Sequence, residues 1–258
     1  MIYSQEEFHL LINPGDVGEY VILTGDPGRV ARIAGELAEP EFVKSNREFT
    51  IYNGKLDGTR VTVCSTGIGG PSTVIALEEL VHCGSHTFIR VGTCGGMDVD
   101  VLGGDLVIAT GAIRAEGTSR EYLPIEFPAV ANFDVVDALR RAAKNAGYRF
   151  HTGVVQSKDS FYGQHDPDSS GASNMLNANW EAWLKGGALG SEMECAAMFC
   201  AAALRKVRAG GIVTSLGNQT RRKLGLPDTM DFDLSQVIHC AVEAMRILIR
   251  EDALRQTE

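Results

Sequence analysis

Short runs rich in Val, Ile and Thr alternate along this chain with longer segments of helical period, and nothing else in the sequence constrains the fold as tightly. Residues 20–24, 49–52, 61–65, 87–91, 106–110, 152–156 and 211–215 read as strands. Residues 29–37, 72–83, 133–145, 177–185, 195–206 and 234–251 read as helices. Strands and helices in that alternation make an α/β fold. In the last helix Val237, Ile238, Ala241, Met245 and Leu248 fall on one stripe at steps of three and four. Asp57-Gly58, between two strand-like runs, reads as a hairpin turn, so at least one pairing is antiparallel and the sheet is mixed. No repeat and no Pro-, Ser- or charge-rich linker divides the chain, and residues 1–258 read as a single domain. The longest irregular segment, 158–174, is polar yet holds Phe161 and Tyr162, and is read as a functional loop.

Charge narrows the function classes. Lys plus Arg number 24 against 33 Asp plus Glu, a balance of −9. A chain of that sign has no broad basic field for nucleic acid or an anionic membrane, so any anionic ligand must be held by a local cluster. No apolar run approaches the ~20 residues that span a bilayer. The first residues carry acids where a secretion signal has a basic region, so a cytoplasmic location with no membrane partner is expected. Six cysteines form no CxxC pair and sit in apolar stretches, which predicts reduced packing residues.

Four strand-like runs stop in the same way, with Gly, Thr or Arg following at once: Thr24-Gly25-Asp26-Pro27-Gly28-Arg29, Ser65-Thr66-Gly67-Ile68-Gly69-Gly70-Pro71-Ser72, Arg90-Val91-Gly92-Thr93-Cys94-Gly95-Gly96, and Gly217-Asn218. Ligands of open α/β sheets bind beyond the carboxyl ends of strands, so these loops can face one pocket. Glycine lets backbone N–H groups approach a ligand, and arginine offers a planar donor fork for phosphate oxygens. Arg29, Arg47 and Arg90 suit a small dianion, although any one such loop alone would be an ordinary turn with a solvated arginine. Arg90 differs because it lies inside the apolar run Phe88-Ile89-Arg90-Val91, where an unpaired charge is costly; it needs an anion. If that anion is a bound ligand, Arg90→Ala should abolish turnover and leave thermal stability unchanged or raised.

Two nucleotide motifs fail. No glycine is followed by Lys and then Ser or Thr, so there is no Walker loop. Gly67-Ile68-Gly69-Gly70-Pro71-Ser72 has Ser72 where a dinucleotide fingerprint needs its third glycine, and the next strand ends in Arg90 where an acid would hold a ribose. Glu192 and Glu194 precede a helix, which by itself is a favourable dipole arrangement. Beside a phosphate site, however, such carboxylates accept hydrogen bonds from sugar hydroxyls, and phosphate plus sugar points to a nucleoside.

The strings Gly25-Asp26-Pro27, Ser45-Asn46-Arg47-Glu48-Phe49, Ser65 to Ser72, Arg90-Val91-Gly92-Thr93, Phe161-Tyr162-Gly163-Gln164 and Glu192-Met193-Glu194 resemble the nucleoside phosphorylases of the uridine phosphorylase branch, in order, from about His9 to the last helix. The resemblance implies a single-domain αβα sandwich with a twisted mixed central sheet. It also implies reversible phosphorolysis of uridine to uracil and α-ribose 1-phosphate, with inorganic phosphate as co-substrate and no required cofactor. It puts phosphate on Gly25, Arg29, Arg47, Arg90 and Thr93, and ribose on Met193, Glu194 and Arg90, with His9 on the 5′ hydroxyl. The base is placed against Gly95 and Phe161, with Gln164 reading its edge. His9 and Arg47 would reach across from a partner subunit of a homo-oligomer, a hexamer built as a trimer of dimers. Glu48, Ile68 and Ser72 match positions that hold a monovalent cation such as potassium in some members.

This chain departs from the family at two places, where Asp166 and Gln219 stand for arginines that support the uracil oxygens. Asp166 is expected to point away, with His165 as the nearer replacement donor and Lys158 as a second charge that also holds the loop. A purine phosphorylase or a nucleosidase of the same fold is the alternative. Those relatives carry an acid in the loop that here reads Ser215-Leu216-Gly217-Asn218-Gln219, and an amide cannot act as that acid. A non-catalytic nucleoside sensor would have no use for Arg29, Arg47, Arg90 and Thr93 together.

Overall fold

The computed structural model describes residues 6–255; the first five and last three residues of the span 1–258 lie outside it. Among the described residues ten strands form, β1 (Tyr20–Thr24), β2 (Ala38–Asn46), β3 (Phe49–Leu56), β4 (Thr59–Ser65), β5 (Thr87–Gly96), β6 (Leu106–Ala115), β7 (Ala129–Val130), β8 (Phe150–Lys158), β9 (Gly190–Glu192) and β10 (Arg208–Asn218). Nine helices accompany them: α1 (Val30–Ala34), α2 (Gly70–His82), α3 (Thr118–Tyr122), α4 (Phe133–Asn145), α5 (Phe161–His165), α6 (Ser173–Lys185), α7 (Cys195–Arg205), α8 (Gln219–Lys223) and α9 (Ser235–Arg255).

The sheet is mixed, as the hairpin signal implies. β3 and β4 pair antiparallel with Leu56 opposite Thr59, and the turn between them places Asp57 at φ 51° and Gly58 at φ 84°, the left-handed pair that a two-residue hairpin requires. β4, β1, β5 and β10 run parallel, with Leu23 and Gly211 on either side of Arg90. The far half of the sheet closes on itself. β5 outlasts β1, which ends opposite Val91, and β9 takes the vacated side at Gly95 and Gly96. β9 pairs β8, β8 pairs β6, and β6 pairs β10, which returns to β5. Glycine makes the closure possible: a Cβ on Gly190 would lie 2.9 Å from Cys94 Sγ.

Gly210 and Gly211 on β10 explain how helices flank both faces. A Cβ at Gly210 would meet Val135 of α4, and one at Gly211 would meet Cys195 and Phe199 of α7. Successive strand residues point to opposite faces, so α4 and α7 lie on opposite sides of the sheet. α4 starts where Asn132 accepts the Val135 N–H and buries Val135, Val136, Leu139, Ala142 and Ala143 on one stripe, against α9 and the sheet. α7 is apolar nearly all round and is buried accordingly, packed among α2, α3 and the strands. All six cysteines are free and buried.

Every strand and helix read from the pattern is present, with shifted ends. β2 escaped because its residues are exposed and carry Pro40 and several charges, the composition of an edge strand. β7 and β9 span two and three residues, and α3, α5 and α8 five each, too short for any periodicity to show. The expected helix over 29–37 is shorter, a 3₁₀ turn at Pro27–Arg29 running into α1 and ending at Gly35. No helix among the described residues is long and apolar enough to cross a membrane.

Candidate active site

The carboxyl ends of β1, β4, β5 and β10, with β9 and the end of β8, surround one cavity of about 600 Å³. Of the residues expected to form a site, it gathers Gly25, Arg29, Arg90, Thr93, Gly95, Lys158, Phe161, His165, Met193 and Glu194, with Ile68 at its edge.

Arg90 is the centre of it. It is 4% exposed, on a strand with neighbours on both sides. Its guanidinium folds back over Gly92, where a Cβ would stand 2.9 Å from Nη1. The anion it needs is already supplied by the chain: Nε donates to Glu192 Oε2 at 3.3 Å and Nη2 donates to Glu194 Oε2. Glu192, read from the sequence as a carboxylate at a helix start and not as a partner of Arg90, also accepts from Ser157 Oγ and from the backbone N–H groups of Glu194 and Cys195, so it caps α7 while holding Arg90. Glu194 Oε1 accepts the Gly69 N–H at 2.7 Å, tying the β4–α2 glycine loop into the site. Burial would raise both carboxyls. Arg90, Ser157 and the helix N–H groups outweigh this for Glu192, which lies below its ordinary range, whereas burial and the neighbouring Glu192 charge leave Glu194 above it.

At one end of the cavity Arg29 faces Arg90 across Gly25 and Thr93. The Asp26 carboxylate caps the 3₁₀ turn by accepting the Gly28 N–H at 2.8 Å and lies 3.4 Å from Nε of Arg29, the last residue of that turn. Partial burial, with smaller effects from the Arg90 and Arg32 charges, depresses the Arg29 pKa against the pull of Asp26.

The opposite end is aromatic and cationic. Phe161 and His165 lie one helical turn apart on α5, rings 4.2 Å between centroids, with His165 Cε1 3.9 Å from where a Gly95 Cβ would be. Lys158 Nζ is buried, 5.9 Å from the Phe161 ring centre, and donates to Ser191 Oγ at 2.6 Å. Burial pushes the Lys158 amine below the ordinary lysine value, against the attraction of Glu192. Partial burial and the charges of Lys158 and Arg222 push the His165 imidazole down as well, toward its neutral form. Leu216, Gly217, Met230 and Arg222 close this end. Sequence reading passed over Ser191 and Arg222, since nothing in a lone Ser or in an Arg on a five-residue helix marks it.

Several expected residues stand elsewhere. Gln164 lines a neighbouring cavity on the far side of Lys158; its Oε1 accepts from Ser191 Oγ at 3.2 Å, so it stands one hydrogen bond behind the wall because α5 turns its amide that way. Gln219 donates to the Gln164 carbonyl at 3.2 Å and is likewise off the cavity. Asp166 is exposed and does not line the cavity, as expected. Asn218 is fully buried; its amide donates to the carbonyls of Asp98 and Val101 and its Oδ1 caps α8, so the position does not face a base at all.

His9 and Arg47 are absent from their own chain's cavity but lie together on one surface. Asn46 donates to the His9 carbonyl at 2.8 Å, His9 Nδ1 pairs with Glu79 at 2.6 Å, and Arg47 sits exposed at the β2–β3 turn with φ 53°. Glu48 and Ser72 both border Gly67, and Ser72 Oγ donates to the Ile68 carbonyl at 3.3 Å, so the three expected cation residues adjoin on the surface.

Residues 19–249 match the sequence profile of the family described as Phosphorylase superfamily. The chain is 51% identical over 256 residues to a protein of Treponema pallidum named uridine phosphorylase, covering 99% of each chain. It is 40% identical to the uridine phosphorylase of Klebsiella aerogenes, over 95% of this chain and 99% of that one. A protein of Halorubrum lacusprofundi named guanosine phosphorylase is 44% identical over 81% of this chain and 83% of its own.

Proposed function

The chain belongs to the phosphorylase superfamily, and from that premise we propose that it is a uridine phosphorylase, a pentosyltransferase that converts uridine and phosphate reversibly into uracil and α-ribose 1-phosphate. The observation that carries the reading is the buried Arg90, clamped by Glu192 and Glu194 and facing Arg29 across a cavity whose other end is Phe161, His165 and Lys158.

Phosphate enters between Arg29, Arg90, Thr93 and Gly25 and gains bidentate donors there. Glu194 and the Met193 segment hold the ribose hydroxyls, fixing the anomeric carbon beside the phosphate oxygen, and orientation of that kind supplies a large share of rate acceleration. As the glycosidic bond lengthens, positive charge on the sugar faces phosphate and negative charge on the base faces Lys158 and the His165 ring. His165 serves as an N–H donor in its neutral form, and Gln164, one hydrogen bond behind Ser191, reaches the base edge by a change of rotamer.

His9 and Arg47 complete a partner's site, in a homo-oligomer assembled as a hexamer from dimers. Their shared surface, away from their own cavity, supports this. Glu48, Ile68 and Ser72 take a monovalent cation such as potassium at that interface, and the reaction calls on no other cofactor. The span 1–258 works as one domain in the cytoplasm.

Purified protein is incubated with uridine, thymidine, inosine or guanosine, each with and without phosphate, and base release is followed. Phosphate-dependent release of uracil supports the assignment. Release only from purine nucleosides, the substrate class named for the Halorubrum relative, would replace it with a purine-directed phosphorylase, and release without phosphate would make the protein a hydrolase.

A further inference from the structure

The far wall of the cavity carries a cation on a part of the chain with no legible motif. Arg222 sits on α8 and lines the cavity beside Leu216, Gly217, Met230 and His165. One corner of its guanidinium is fixed: Nη1 lies 3.1 Å from Asp228 Oδ2 and 3.1 Å from Met230 Sδ. The Asp228 side chain is itself buried, and its other oxygen accepts the Asn218 N–H at 2.8 Å, so the anchor belongs to the frame of the loop and not to the cavity. Nε and Nη2 of Arg222 make no hydrogen bond among the described residues. Gly217 permits the arrangement, since a Cβ there would stand 2.3 Å from Met230 Sδ and 3.4 Å from Arg222 Nη1.

A half-exposed arginine pinned at one nitrogen, with the rest of its fork open and its one carboxylate partner, Asp228, outside the cavity lining, is a donor in search of an acceptor. Lys158 stands at another part of the lining, its ammonium buried and donating to Ser191 Oγ, so the two cations do not share one place. Resting on the uridine phosphorylase reading, we propose that Arg222 is a further specificity-determining residue. Its open edge meets the negative charge that collects on the carbonyl oxygens of the departing pyrimidine, and Asp228 fixes its position. Its planar fork suits an oxygen of a delocalised anion better than an ammonium would.

The test uses the leaving group. In 5-fluorouridine the fluorine stabilises the base anion by itself, so a protein group that stabilises the same charge matters less. Arg222→Gln should lower kcat/KM for uridine by about tenfold or more, lower that for 5-fluorouridine by a distinctly smaller factor, and leave the KM for phosphate unchanged. Arg222→Lys should recover part of the uridine loss. Equal losses on the two nucleosides, or a uridine kcat/KM within about threefold of wild type, would overturn the proposal. Wild-type enzyme that does not cleave uridine would bring down the underlying reading and this one with it, whereas an active wild type with an unmoved Arg222→Gln brings down this one alone.

Discussion

Replacing Arg90 by Ala should unfold the protein more readily as well as inactivate it, because of what the arginine leaves behind. Its two carboxylate partners are both nearly inaccessible to solvent. Removing one member of a buried pair costs roughly 3–5 kcal/mol, chiefly the penalty of the orphaned charge. Glu192 keeps Ser157 Oγ and two backbone donors, and Glu194, already held above its ordinary value, can take up a proton, so the lower part of that range applies, about 3 kcal/mol. At ~2–4 °C per kcal/mol for a chain of this length, Tm should fall by roughly 6–12 °C. Calorimetry at neutral and mildly acid pH measures it. The deficit should shrink on acidification, since protonation removes the orphaned charge from the variant while it costs wild type the pair, and Arg90→Ala combined with Glu194→Gln should regain part of the loss. A Tm for Arg90→Ala within about 2 °C of wild type, under ~1 kcal/mol, would show that the carboxylates do not depend on the arginine and that the clamp has been misread.

Gly92→Ala should leave the fold intact yet push the guanidinium of Arg90 off its seat, because the new Cβ would come within 3.0 Å of it; we expect uridine kcat/KM to drop by about tenfold or more with the phosphate KM raised, and unchanged kinetics would refute it. Burial lowers the Lys158 pKa, so its charge disappears as pH rises through a value below that of an ordinary lysine; kcat should decline along that alkaline limb, and Lys158→Arg should carry the limb to higher pH. The same shift means that the folded state binds fewer protons than the unfolded one near that pH, so the Lys158 contribution to stability rises with pH there. A double variant His9→Ala/Arg47→Ala and the single variant Arg29→Ala should each be inactive, and mixing them should restore partial activity in hybrid assemblies; no recovery after verified subunit exchange would count against shared sites. Asn218→Ala should cost about 2–3 kcal/mol, since it strands the carbonyls of Asp98 and Val101 and uncaps α8, without changing which base is accepted.

The fold was legible wherever a period ran long enough. Residues 133–145 and the stripe of the last helix are found where the pattern puts them, because one apolar face repeats over three turns or more. Arg90 was legible as a charge inside an apolar run, but not its partners: Glu192 and Glu194 lie about a hundred residues away, and only closure of the strands through β9 brings them within hydrogen-bond distance. That is why the expectation of unchanged stability on removing Arg90 does not survive the structure. Asn218 shows the opposite error, a polar residue in a loop of glycines that looks poised for a ligand and instead holds three pieces of backbone together. Gln164 was read by its neighbours in sequence, whereas the way α5 is set decides which side of Lys158 its amide occupies.

The ring formed by β5, β9, β8, β6 and β10 bears on how such an enzyme can be altered. Arg90, Thr93, Gly95, Lys158, Ser191 and Glu192 all stand on strands of that ring. A strand in a ring cannot slide by a residue without moving its neighbours on both sides, so a register error made anywhere is felt at the proposed phosphate and sugar positions together. Insertions and deletions are therefore confined to the segments that leave the ring, among them the stretch from Asp159 to Leu189 and the one that follows Asn218. Those two carry Phe161, His165, Arg222 and Met230, the groups proposed to surround the base. A change of base can be made there by lengthening or exchanging a loop, while a change of phosphate or sugar chemistry would require rebuilding the ring.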